Sequence, residues 1–439
     1  MNRLNNSKKF QEIINSLNNK KYEDALNKIK ILSAELPKNK VLDKLLATTY
    51  FKKMDWKNSI KYHNKILLNE NDKHKIFTNI GYSYFKLGEI NKSIEAYKKS
   101  IEENPNFEIA YNNLAISYIE LGLYEKACSN FLKLLKINKN NFFAQKNLIY
   151  LFNFIEPKNL KDHALLEINS KIRNIINNLN LNNFKKTEIL KKILSQSDEI
   201  IKKYYKNLTF EETQIYRKNS KDLNCKRHFK IFNNLNIIPK FCFSCFKVQI
   251  NLKSVVNLIK LYFIFDNLNL KKNNIRKCIV ELRDNVKGNY KGYIYCEGLE
   301  EAKKIKEKIN NLLINEKFEN YKIEIKHGCT EYYKSYPKFQ NLNLKGDEEV
   351  LSYDENWKKK EDLIDKLEPL RSELDKKVWV KSKRGMNLSD ILIIKNWINY
   401  AYLIGDSSYK KIYDKKINNA FMNKALQNQL NFRIEDLNK

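Results

Sequence analysis

The 439-residue chain is 42% hydrophobic, enough to bury several cores, which excludes wholesale disorder and sets an expectation of about two to four domains. Its 10 Gly and 6 Pro argue against a large all-β architecture, and neither glycine-rich phosphate-binding motif occurs. With 82 Lys and Arg against 51 Asp and Glu the net charge is +31, which favours anionic partners, nucleic acid first; the abundance of Asn, Lys and Ile also follows from an AT-rich genome. Met1 to Tyr22 lacks the apolar core of a secretion signal. The apolar stretches Val255–Phe265 and Ile391–Ile404 are interrupted by Lys260 and Lys395 and are too short to span a bilayer. Seven cysteines are an odd number, unlike a secreted disulfide framework, so the expectation is a cytoplasmic chain without a membrane partner.

The first elements repeat. Ala47, Gly81 and Ala115 recur every 34 residues, as do Tyr50, Tyr84 and Tyr118, and Leu46, Ile80 and Leu114. Gly88 and Gly122 end first helices, Ser93/Ala127 and Tyr97/Phe131 mark second helices, and Pro105 closes a unit. This pattern resembles the tetratricopeptide repeat family, with repeats near 6–39, 40–73, 74–107 and 108–141 and a capping helix before Pro157. The resemblance implies an α-solenoid over 6–156 whose inner helices line a concave groove for a partner peptide or helix. Asn79, Asn113 and Asn147 share one helix position at the same period. In some family members an asparagine ladder there bonds a partner's backbone, using both the donor and the acceptor of the amide. Lys44 and Tyr82 join the groove expectation. A carboxylate clamp fits Lys44 and Asn79 but fails at Thr48, Ile109 and Asn113.

Residues 157–224 read as helices, Leu165–Leu179, Thr187–Tyr204 and Glu211–Arg217, that extend or leave the solenoid. Six of the seven cysteines then fall between 225 and 329. Cys225 and His228 precede Cys242 and Cys245, and two such C-x-x-[CH] pairs can present four ligands tetrahedrally to a structural Zn²⁺. Buried thiols with a surface His, or a redox dithiol at Cys242/Cys245, are the alternatives. Cys278, Cys296, His327 and Cys329 match no ligand spacing and read as core.

From 246 to 329 the chain alternates strand Phe246–Asn251, helix Ser254–Leu268, strands Arg276–Arg283 and Lys291–Glu297, helix Leu299–Asn315 and strand Tyr321–His327. That β-α-β-β-α-β order is the ferredoxin-like split unit, assigned with the Cys/His site to 225–335. With Val248, Ile250, Val280, Leu282, Ile294, Ile323 and Ile325 turned to the helices, alternation puts Lys247, Arg283, Tyr293, Tyr295, Lys322 and Lys326 on an open face. Tyrosines among basic residues stack bases and neutralise phosphates, so this face is a candidate for RNA or single-stranded DNA, against a structural or protein-docking role.

Residues 336–439 read as a charged, mainly helical region with a helix at Trp357–Leu374, the basic run Lys376–Arg384 around Trp379, and a helix capped by Ser389-Asp390. Ser197/Asp198, Ser389/Asp390 and Asp406/Ser407 have no neighbouring His, so the chain is expected not to be an enzyme. The sequence thus reads as an α+β multidomain adaptor that binds a protein through its repeats, with zinc pinning a second, α/β part.

Overall fold

The computed structural model describes residues 2–67, 71–157, 162–177, 187–205, 208–217, 223–344, 349–367, 381–415 and 420–438. Two compact units divide after Leu151. The first holds helices α1 (Asn2–Asn18), α2 (Tyr22–Glu35), α3 (Lys40–Lys52), α4 (Trp56–Ile66), α5 (Lys73–Leu87), α6 (Ile90–Glu103), α7 (Glu108–Glu120), α8 (Tyr124–Ile137) and α9 (Phe142–Leu151), each packed on the next.

Small residues let these helices close. A β-carbon at Gly81 would lie 2.7 Å from the Tyr97 ring, so α5 and α6 meet at a distance only glycine permits. Gly88 ends α5 at φ 83° in the left-handed conformation, and the side chains of Asn39 and Asp55 cap α3 and α4. The interior carries hydroxyl pairs at the repeat period. Ser59 meets Ser83 and Ser93 meets Ser117, both at 3.1 Å, linking the second helix of one repeat to the first helix of the next. Each pair hands a proton on to a helix carbonyl, from Ser83 to Asn79 O at 2.8 Å and from Ser117 to Asn113 O at 3.0 Å, so no hydroxyl is buried at a loss.

The second unit opens with α10 (Ala164–Asn177) and α11 (Thr187–Tyr204), followed by β1 (Gln214–Arg217), α12 (Cys225–Leu235), α13 (Lys240–Phe243), β2 (Cys245–Leu252) and α14 (Val255–Asn267). Then come β3 (Arg276–Val280), β4 (Tyr290–Glu297), α15 (Leu299–Asn315), β5 (Lys322–His327), α16 (Glu355–Leu367), α17 (Leu388–Ile404), α18 (Ala420–Leu426) and α19 (Leu430–Asn438). The sheet runs β1-β3-β4-β2-β5, antiparallel throughout, with Val248 between Ile294 and Ile325 in the central register. α14 and α15 pack on it. Gly292 admits α14, since a β-carbon there would come within 2.4 Å of Leu261.

Two expectations are corrected. Glu211–Arg217 is not helical: its last four residues form β1, with Tyr216 opposite Lys277, because pairing on the open edge of β3 outweighs the weak local preference of a short polar run. The α17 cap is Asn387, not Ser389; Asn387 and Asp390 exchange backbone and side-chain hydrogen bonds in a capping box. α17 is buried along nearly its whole length. Arg217 binds Asp266 and Asp390 together, with the Tyr262 hydroxyl 2.7 Å from its guanidinium, which fastens β1 and α14 to α17. Of the basic run, residues 376–380 lie outside the described residues, as does the end of the helix expected to reach Leu374.

Candidate functional site

The second residues of α3, α7 and α9 are Val41, Ile109 and Phe143, which stay 52%, 54% and 68% exposed. They stand at the repeat period, with Lys75 at the equivalent place in α5. One helical turn later on the same face come Asn79, Asn113 and Asn147, all half-buried. Asn79 Nδ2 donates to His63 Nε2 at 3.2 Å, while His63 Nδ1 lies 2.9 Å from the Ser59 carbonyl oxygen. That pair of contacts selects the neutral tautomer with its proton on Nδ1, and burial holds the His63 pKa below its ordinary value. Asn113 accepts from Asn112 Nδ2 at 3.4 Å and bonds the buried Tyr97 hydroxyl. Tyr82 packs edge-on to Trp56 at 5.7 Å and against Phe51 at 5.5 Å, with Lys86 Nζ 5.0 Å from its ring centre. Lys44 is exposed on α3.

The sheet face expected to be open is covered. Lys247 is 6% and Tyr293 3% exposed, because the chain after β5 folds back over them: Lys247 Nζ donates to Gly328 O at 3.0 Å, and Arg283 pairs with Glu331 at 3.7 Å. Tyr293 lies against Lys247 Nζ at 5.3 Å and Lys277 Nζ at 5.2 Å, so its ring has no face free for a nucleobase. Burial, with Arg283 nearby, brings both lysines down to about 8. Tyr295 is half-buried and its hydroxyl pKa is pushed well up by burial. Lys322 and Lys326 remain accessible at the β5 edge but share Glu324, at 2.7 and 3.3 Å. Arg283 also binds Glu281, which takes Lys291 Nζ at 2.7 Å in a fully buried pair.

The four expected zinc ligands are not brought together as a set. Cys225 is the exposed first residue of α12, Cys242 is buried in α13 and Cys245 opens β2 half-buried. The His228 ring is buried and stacked on Phe241 at 5.2 Å and 24°. Among the described residues no three His, Cys, Asp or Glu side chains stand as a ready metal shell, and all seven cysteines are free thiols. The acidic members of the hydroxyl–carboxylate pairs serve the fold: Asp198 holds Lys395 at 2.7 Å, Asp390 holds Arg217, and Asp406 accepts from Tyr290 and the Val255 N–H.

A family model described as TPR repeat matches residues 81–122, and one described as tetratricopeptide repeat matches 109–141. Residues 81–141 are tetratricopeptide repeats. No curated protein matches the chain. Among solved structures, a MamA crystal structure is 19% identical with a TM-score of 0.30, covering 31% of this chain and 81% of that one. The first tetratricopeptide domain of Spaghetti (RPAP3) bound to the HSP90 peptide SRMEEVD is 20% identical with a TM-score of 0.24, covering 26% and 89%. The Arabidopsis OM64 tetratricopeptide domain is 15% identical with a TM-score of 0.24, covering 26% and 93%.

Sequence reasoning overlooked two features of the tetratricopeptide array. The exposed series Val41, Ile109 and Phe143 was legible, since it keeps the 34-residue period at a helix position that is otherwise solvated. The Phe51–Trp56–Tyr82 cluster carries no such signal, because three helices of two repeats contribute to it.

Proposed function

We propose that the tetratricopeptide groove holds an extended segment of a partner protein. The repeats give the chain a protein-interaction role. The observation that carries the finer reading is the apolar series at Val41, Ile109 and Phe143, one turn before Asn79, Asn113 and Asn147. Exposed apolar side chains at a fixed period form a surface that gains free energy by being covered. Amides beside them supply donors and acceptors for a peptide backbone whatever its side chains. Tyr82 and Lys44 extend the surface along α5 and α3. The second unit serves as an attached α/β part, read as a ferredoxin-like module from its strand order and its two covering helices. Free thiols throughout suit a reducing compartment such as the cytosol.

The test compares full-length variants. Ile109→Asp with Phe143→Asp should abolish retention of the partner recovered by the wild-type chain, and Asn79→Ala, Asn113→Ala and Asn147→Ala together should weaken it about ten- to a hundredfold, as loss of one to three hydrogen bonds requires. Helical circular dichroism should stay unchanged. A partner held equally well by both variants overturns the reading.

A further inference from the structure

Four cysteines from separate segments of the second unit meet at one end of its sheet. The β2–β5 ladder, with Phe246 opposite His327, brings Gly328 beside Cys245, and the Gly328 N–H donates to the Cys245 carbonyl at 2.8 Å. The Cys245 sulfur lies over Gly328, where a β-carbon would come within 2.5 Å of it, so glycine leaves that sulfur its room. Cys329 follows directly. Cys242 is buried with its sulfur 3.5 Å from the Tyr332 hydroxyl, and it belongs to the same packed cluster as Cys329. Phe229 and Phe232 carry α12 into that cluster, and Cys225 is the first residue of that helix. The four thiols lie within electrostatic reach: after burial, Cys242, Cys225 and Cys245 push the Cys329 thiol up, and Cys245 and Cys225 do the same to Cys242.

A buried cation stands beside them. Lys247 Nζ reaches the Gly328 carbonyl, one residue from Cys329, and an anionic cluster there would favour its charge. His327 has Nδ1 buried without a hydrogen-bond partner, and its ring stacks on Phe246 at 4.8 Å. Four thiolates alone would repel one another in this setting, and a dication removes that repulsion.

We propose that Cys225, Cys242, Cys245 and Cys329 form a structural site for one thiophilic divalent cation, zinc, with Cys329 in the place that sequence spacing assigned to His228. Binding exchanges up to four thiol protons for the dication, leaving a cluster of charge about −2 with Zn–S bonds near 2.3 Å. The Lys247 ammonium offsets part of that charge. The ion ties α12, the α13–β2 corner and the chain leaving β5, which is the segment that covers Lys247 and Tyr293. With four protein ligands there is no open position for a reactive water. This inference does not depend on the groove reading.

The full-length chain, purified under reducing conditions, should contain about one zinc by elemental analysis. Zinc replaced by cobalt(II) should give intense thiolate-to-cobalt absorption and the ligand-field bands of a tetrahedral sulfur site. Cys329→Ser and Cys225→Ser should each lose most of the metal, and His228→Ala should retain it. Should Cys329→Ser fail to fold, Cys225→Ser, at an exposed position, and the wild-type cobalt spectrum still decide the matter. Folded, reduced protein without zinc and without cobalt bands overturns the site. Metal that needs His228 and survives loss of Cys329 overturns the ligand set.

Discussion

Gly81 shows how one residue sets the spacing of two helices. Neighbouring repeats carry Ala47 and Ala115 at the same position, so a β-carbon is compatible with the repeat in general but not opposite Tyr97. Gly81→Ala should therefore destabilise the array by about 1–3 kcal/mol, read by urea unfolding, even though alanine is the better helix former. The double change with Tyr97→Leu should recover part of the loss. His63 makes a pH prediction at the same scale. Its folded pKa lies below its ordinary value of 6.5 because burial disfavours the charged ring, so the unfolded state binds the proton more readily. The stability held near neutral pH is then lost as pH falls through about 6.5 towards the lower folded value, and Nε2 ceases to accept from Asn79. Thermal unfolding of the chain between pH 7.5 and 5 should show this decline, and His63→Gln, which keeps a polar partner without titrating, should flatten it. An unchanged slope in the variant would remove His63 from the explanation.

Elements with a strong internal pattern were legible at once. α15 spans Leu299–Asn315 as its period of apolar residues indicates, and β4 and β5 begin within one residue of expectation. β3 stops at Val280 rather than Arg283 because the Glu281 carboxylate accepts the Arg283 N–H and its guanidinium, which turns the backbone out of the ladder. β1 was missed for the opposite reason: four residues have no pattern of their own, and only the edge of β3 makes them a strand. The element-scale prediction concerns Arg217, which joins β1, α14 and α17. Arg217→Met leaves Asp266 and Asp390 facing each other in a dry interior and should cost about 3–5 kcal/mol in denaturant unfolding, well beyond an average core substitution. A cost below about 1 kcal/mol would mean that water reaches the two carboxylates.

At the scale of the whole molecule, the net charge of +31 is spread over partners that the fold supplies in several places. Lys291, Arg283, Lys322 and Lys326 all meet carboxylates, and Lys247 meets a carbonyl. The repeat array and its groove were determined by sequence alone, because a tetratricopeptide unit packs only on its neighbours and every contact recurs at the 34-residue period. The alternation of the sheet was likewise local, since successive side chains of a strand must point to opposite faces. What lies on each face is a different matter. The covering of Lys247 and Tyr293 by the chain after β5, the burial of α17 and the meeting of Cys225, Cys242, Cys245 and Cys329 all join residues far apart in sequence. Such contacts leave no period and no fixed spacing, because they are set by where whole elements dock, and only the tertiary structure decided them.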